Sequence, residues 1–295
     1  MFVPFNDLSR IHKPLINDSF KVFKKIVNDS QFVLNSYVKK FESDFAKYTN
    51  QKYSVSCANG TDAIELILRG LDIGIGDEVI LPTNSFIATS IAVTRSGATP
   101  IFVDNDEFYL INTNKVEQHI SKKTKAIIAV NLYGQMANLA ELSKLAKANN
   151  LYLIEDAAQS HGAKNKQDKD VGDYSIAAAY SFYPGKNLGG WGDGGGVTTN
   201  SKKLMEKMTA IRVYGSEKKY YHKYIGFNSR LQPFQGIVLS KKLKQLNNWN
   251  EERRNIASLY SKSFVDNPKI SIPKIFDDNY HVWHLYVLRV KNRNK

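Results

Sequence analysis

A single cysteine, Cys57, stands in 295 residues. No disulfide can close within such a chain, and a lone thiol fits a reducing compartment. Long apolar runs are missing as well: no stretch approaches the ~20 residues that a membrane-spanning helix needs. The start of the chain, Met1-Phe-Val-Pro-Phe-Asn-Asp7, lacks the basic residues and apolar core of a secretory signal. The expected location is therefore cytoplasmic, with no membrane partner. Internal repeats and low-complexity linkers are absent. Histidine is scarce, with six residues that do not group at metal-ligand spacing, so no metal is expected. His281 and His284 sit three apart on an expected strand, which would turn them to opposite faces.

Acidic residues are also in deficit, 28 against 41 Lys and Arg, for a net charge of +13. Nucleic-acid binders gather such charge on one face with aromatics interleaved. Here it is scattered as pairs: Lys24-Lys25, Lys39-Lys40, Lys122-Lys123, Lys202-Lys203 and Lys241-Lys242. No nucleic-acid partner is expected. The surplus reads as a solvated surface, with mild steering of an anionic substrate such as a nucleotide sugar.

What the chain has is an alternation of strand and helix. Short apolar runs at 53–57, 78–82, 99–104, 126–130, 151–155, 174–182 and 195–199 read as strands. Helices are expected over 63–71, 88–96 and 139–148. The fold class is α/β, a mostly parallel sheet flanked by helices, with ligands at the carboxyl ends of the strands. Asp156 and Ser181 fall at such ends. From Ile237 onward, Leu239, Leu243, Leu246, Trp249, Ile256 and Leu259 predict one long amphipathic helix. A strand over 281–289 should follow. A large domain over 1–236 and the start of a second over 237–295 are expected, the second unfinished.

The chemistry gathers in two runs. Ser181-Phe-Tyr-Pro-Gly-Lys186-Asn187-Leu188 sets one lysine in a hydroxyl- and glycine-rich turn. Glu155-Asp156-Ala157-Ala158-Gln159 sets one acid at the end of an apolar strand. A lysine that forms a Schiff base, and an acid that keeps a pyridine nitrogen protonated, are what a pyridoxal phosphate enzyme requires of its protein. In isolation Lys186 could be a solvated turn residue, and Asp156 a helix cap. Asn59-Gly60-Thr61-Asp62 reads equally as a plain helix N-cap or as a phosphate site at a helix N-terminus. Ser181 could add a hydroxyl to that phosphate. Gly190, Gly192 and Gly195 spell G-x-G-x-x-G, but ahead of a strand rather than a helix, so a dinucleotide site is rejected. A Walker loop fails because Tyr180 and Asn187 occupy its defining positions.

These runs resemble the DegT/DnrJ/EryC1/StrS sugar aminotransferases. The resemblance extends from the block at Val3–Leu8 to Arg289. It includes Phe41-Glu42, Gly60–Ala63, Gly76–Ile80, Lys123–Ile127, Leu132–Gln135 and Gly226–Leu231. It implies the aspartate aminotransferase (type I) fold and pyridoxal 5'-phosphate as cofactor. By the same resemblance Lys186 carries the cofactor and shuttles the proton, and Asp156 pairs with the ring nitrogen. Gln159 lies near the ring hydroxyl and Phe86 stacks on the ring. Gly60, Thr61 and Ser181 hold the phosphate, and Tyr183 touches substrate. Asn228 reaches the neighbouring subunit's phosphate, which implies a homodimer. The implied reaction moves an amino group from L-glutamate to a keto-deoxysugar nucleotide, most like a dTDP-3-keto-6-deoxyhexose, in surface polysaccharide or glycoside biosynthesis. Amination at C4 of a UDP- or dTDP-4-keto sugar is the competing chemistry. A truncated, inactive cofactor-binding fragment is the rival reading, because relatives continue through a fuller second domain. Asn131 and Gly236 depart from the family's usual histidine and alanine.

Overall fold

The computed structural model describes residues 4, 7–291 and 293. Residues 1–3, 5 and 6, most of the first block of the resemblance and of the N-terminal stretch read above, lie outside them. Seven strands form one sheet: β1 (Tyr53–Cys57), β2 (Glu78–Pro82), β3 (Thr99–Val103), β4 (Thr124–Val130), β5 (Tyr152–Asp156), β6 (Ala177–Ser181) and β7 (Gly195–Thr199). Their order is β1-β7-β6-β5-β4-β2-β3. The run from β3 to β6 is parallel, and β7 is antiparallel to both its neighbours.

Each face of this sheet carries a buried core. Along β4, Ile127 and Ala129 join one core while Ala126, Ile128 and Val130 join the other. That period of two is the pleat itself. The first face is covered by the helices Ser36–Tyr48, Leu139–Ala148 and Pro233–Leu243, through Phe41, Phe45, Leu142, Leu239 and Leu243. Phe45 sits 4.9 Å from the Tyr180 ring and 5.3 Å from Phe182, both edge-on. The second face is covered by Gly60–Gly70, Ala88–Ser96 and Lys202–Ile211. Each fully buried Leu, Ile or Phe contributes about 1.5–3 kcal/mol, which fixes the helices to the sheet and the strand ends to one another.

The helix boundaries follow local chemistry. Asn59 caps Gly60–Gly70 by accepting from the Asp62 amide at 2.9 Å. Gly97 ends Ala88–Ser96 with a left-handed φ of 94°.

Three expectations need correction. The long helix expected from Ile237 is two helices, Pro233–Leu243 and Leu246–Phe264, parted at Lys244 and Gln245. Of its supposed apolar stripe, Ile256 and Leu259 are exposed. The strand expected over 281–289 is only Arg289–Val290, paired with Ile270–Ser271. Residues 281–285 instead turn against Tyr133 and Gly134, with Trp283 at φ 46°. His281 and His284 therefore do not share a strand: His281 is buried and stacks on Trp283 at 3.8 Å. The strand expected over 174–182 is shorter, Ala177–Ser181.

Candidate active site

The carboxyl ends of β5 and β6, the N-terminus of the helix Gly60–Gly70 and the turn after β6 surround one cavity of about 580 Å³. Gly60, Thr61, Phe86, Asp156, Gln159, Ser181, Tyr183 and Lys186, all singled out from the sequence, line it. Asn228 does not. It is exposed, and its backbone bridges to Val213.

Asp156 is 7 % exposed. One carboxylate oxygen accepts from Thr89 Oγ1 at 2.7 Å, the other from the Ala158 amide at 3.2 Å. Thr89 Oγ1 spends its proton on Asp156, so the hydroxyl of Ser85, 2.7 Å away, donates to Thr89. Burial raises the Asp156 pKa, and the two hydrogen bonds and the nearby Lys186 charge oppose it. The carboxylate's bonded partners are a hydroxyl and an amide rather than a cation. Its position therefore suits a cationic ring nitrogen.

Lys186 follows the tight turn Tyr183-Pro184-Gly185, which its own amide closes onto the Tyr183 carbonyl at 2.9 Å. Burial lowers the amine's pKa, against the pull of Asp156. A desolvated lysine beside an acid is more readily a free amine than a surface lysine is.

The anion end is equally specific. Gly60 and Thr61 are the first two helical residues, so their amides have no carbonyl of their own helix to meet. A Cβ on Gly60 would come 2.8 Å from Ser181 Cβ. Only glycine lets the Ser181 hydroxyl approach this first turn so closely. Dipole, amides and hydroxyl together fit a phosphate. Gln159 Oε1 accepts from the Tyr133 amide at 2.7 Å, which leaves its NH2 group as a donor on the cavity wall. Phe86, 69 % exposed, stands on the rim as a free aromatic face. Asp156, Lys186, the Gly60–Thr61 turn with Ser181, Gln159 and Phe86 thus lie around one space, and the residues fit pyridoxal phosphate.

The pattern of the DegT/DnrJ/EryC1/StrS aminotransferase family matches residues 15–295. The chain belongs to this family. A Geobacillus stearothermophilus protein named pleiotropic regulatory protein is 43% identical over all of this chain and 80% of its own length. The dTDP-3-amino-3,6-dideoxy-alpha-D-galactopyranose transaminase of Aneurinibacillus thermoaerophilus is 44% identical over 99% of this chain and 80% of its own. Among solved structures, S. venezuelae DesV in complex with a ketimine intermediate superposes with a TM-score of 0.96 at 39% identity, over 99% of this chain and 79% of that one. The fold is that of the pyridoxal phosphate aminotransferases, as expected. The chain is an aminotransferase, and pyridoxal phosphate is the cofactor of its family. No helix among the described residues is long and apolar enough to cross a membrane.

Several site residues were not anticipated. Thr89 lies on the inner face of Ala88–Ser96, and nothing in its local sequence sets it apart. His284 lines the cavity from the turn where a strand was expected. His161 is fully buried beside the Tyr180 and Phe182 rings, with neither ring nitrogen hydrogen-bonded among the described residues. Burial first, and the Lys186 charge second, push its pKa down to about 3. Ser181's backbone approaches this ring without meeting hydrogen-bond geometry.

Proposed function

We propose that this chain moves an amino group from L-glutamate to the C3 ketone of a nucleotide-linked deoxyhexose, a dTDP-3-keto-6-deoxyhexose. The observation that carries the reading is the meeting of Lys186, Asp156 and the Gly60–Thr61 amides on one cavity. The 44% identity to a dTDP-3-amino-sugar transaminase supports the substrate class. Such a product belongs to the assembly of surface polysaccharides or glycosides.

Pyridoxal phosphate, held by these residues, would supply an aldehyde for the amino group and an electron-withdrawing ring. The protein's residues do the rest. Asp156 would pair with the ring nitrogen and keep it protonated. Gly60, Thr61 and Ser181 would anchor the phosphate and so fix the ring's orientation. Phe86 would cover one face of the ring, and the Gln159 NH2 group would donate to its hydroxyl. Lys186, whose amine gives up its proton more readily because it is buried, would take a proton from the substrate carbon and return it. Tyr183, at the mouth, touches the substrate. Asn228 projects from the surface toward the phosphate of a second copy, which makes the working unit a homodimer. The division into a cofactor-binding domain over 1–236 and a second domain from 237 belongs to the same reading.

The test is a paired turnover assay. Cofactor-loaded protein given L-glutamate should change its visible spectrum, and dTDP-3-keto-6-deoxyhexose should restore it with release of the 3-amino sugar. Conversion of a 4-keto sugar in preference would contradict the assignment to C3. A spectrum that glutamate leaves unchanged would contradict the transaminase reading of this chain.

A further inference from the structure

The wall of the cavity beyond Lys186 carries a histidine whose proton can be located. Asn187, 4 % exposed, donates its NH2 group to Asn250 Oδ1 at 3.0 Å and to the Val282 carbonyl at 2.8 Å. Asn250 in turn donates to the His161 carbonyl at 2.9 Å. Backbone carbonyls cannot donate, so both amides are oriented by their ends of the chain. Asn187 Oδ1 is therefore the atom left facing His284 Nδ1, at 3.2 Å. That contact makes Nδ1 the protonated nitrogen and Nε2 the acceptor. Nδ1 is tied to a buried side chain while the ring lines the cavity, so Nε2 stands on the cavity side.

The position is built rather than incidental. The Val282 amide donates to the Gly134 carbonyl at 2.8 Å, and the Leu285 amide to the Tyr133 carbonyl at 3.3 Å. A Cβ on Gly134 would come 2.9 Å from the backbone nitrogens of both Trp283 and His284, at a φ of 114°. Arg253 clasps the Trp283 carbonyl from the other side at 3.2 Å. The ring thus has fixed height, fixed tautomer and, at Nε2, a lone pair without a hydrogen-bond donor among the described residues.

Resting on the substrate reading above, we propose that His284 is a specificity-determining residue: its Nε2 accepts a hydrogen bond from a hydroxyl of the keto-sugar. A lone pair cannot hold either carboxylate of glutamate, because like partial charges repel, and glutamate's one donor is the amino group that itself reacts. Nor does the imidazole become a cation that could. Burial first, then the charges of Lys186 and Arg253, hold its pKa down to about 3. A neutral acceptor beside the reacting lysine therefore discriminates between the two substrates. It serves the hydroxyl-bearing sugar and is indifferent to the amino donor.

His284→Phe keeps a planar ring and deletes the acceptor. In a two-substrate exchange reaction each kcat/KM reports its own half. With the 3-keto sugar, kcat/KM should fall roughly ten- to a hundredfold, the range for a buried hydroxyl left unpaired. With L-glutamate it should move less than about threefold. Equilibrium binding of the 3-amino sugar nucleotide should weaken in parallel, and His284→Gln, which offers an amide oxygen, should recover part of both. Equal losses with both substrates would overturn the proposal in favour of a role in placing Lys186. An unchanged sugar kcat/KM would overturn it outright. Wild-type protein that reacts with glutamate but with no keto-sugar nucleotide would overturn the substrate reading and this proposal with it.

Discussion

Lys186→Ala is expected to reduce transamination at least about a thousandfold, the combined worth of a covalent anchor and a positioned proton carrier. The cavity should survive the change. Lys186 is held by its backbone turn and makes no side-chain hydrogen bond among the described residues, so the melting temperature should stay near that of the parent. Cofactor should still bind through Gly60, Thr61 and Ser181, now without a covalent tie. Lys186→Arg should not rescue activity, because a guanidinium stays protonated where a free amine is required. Single-turnover kinetics with glutamate make the check. Repeated turnover in the alanine variant would remove Lys186 from the reaction.

Asp156→Asn is the second large effect. The substitution preserves shape and leaves groups for Thr89 and Ala158 to meet, but it deletes the charge. A ring nitrogen facing a neutral amide loses its proton and with it the capacity to draw electrons. Activity should fall about a hundred- to ten-thousandfold while cofactor affinity falls far less. The same variant should lower the Lys186 pKa further, since Asp156 is the group that raises it. The sign follows from the charge: a cation deprived of its anion gives up its proton at lower pH. Asp156→Glu, which restores charge but misplaces it, should recover a fraction. A fully active asparagine variant would contradict the assigned pairing.

Much of this was legible in the sequence because the strands of a covered parallel sheet are short apolar runs with sharp ends. Ala88–Ser96 and Leu139–Ala148 lie where spacing put them, the first closed by Gly97 and the second opened by Asn138. The motif residues came together because Asp156 and Ser181 end neighbouring parallel strands, β5 and β6. The second half was harder to read. Leu239, Leu243 and Leu246 keep helical spacing across the break at Lys244 and Gln245, so periodicity alone runs through it. The aromatic stretch from His281 has strand-like composition, yet ties to Tyr133, Gly134, Asn187 and Arg253 bend it away. Those ties join residues 30 to about 150 positions apart, and no local pattern records them. For the same reason His284 passed as a strand residue. Thr89 went unnoticed because its partner, Asp156, is 67 residues away.

In the proposed reaction one lysine, Lys186, carries the cofactor. The direct measurement is peptide mapping by mass spectrometry after borohydride reduction of the cofactor-loaded protein. The added pyridoxyl mass should fall on the peptide that contains Lys186 and on no other. Its appearance on a different lysine, or on none, would contradict the account.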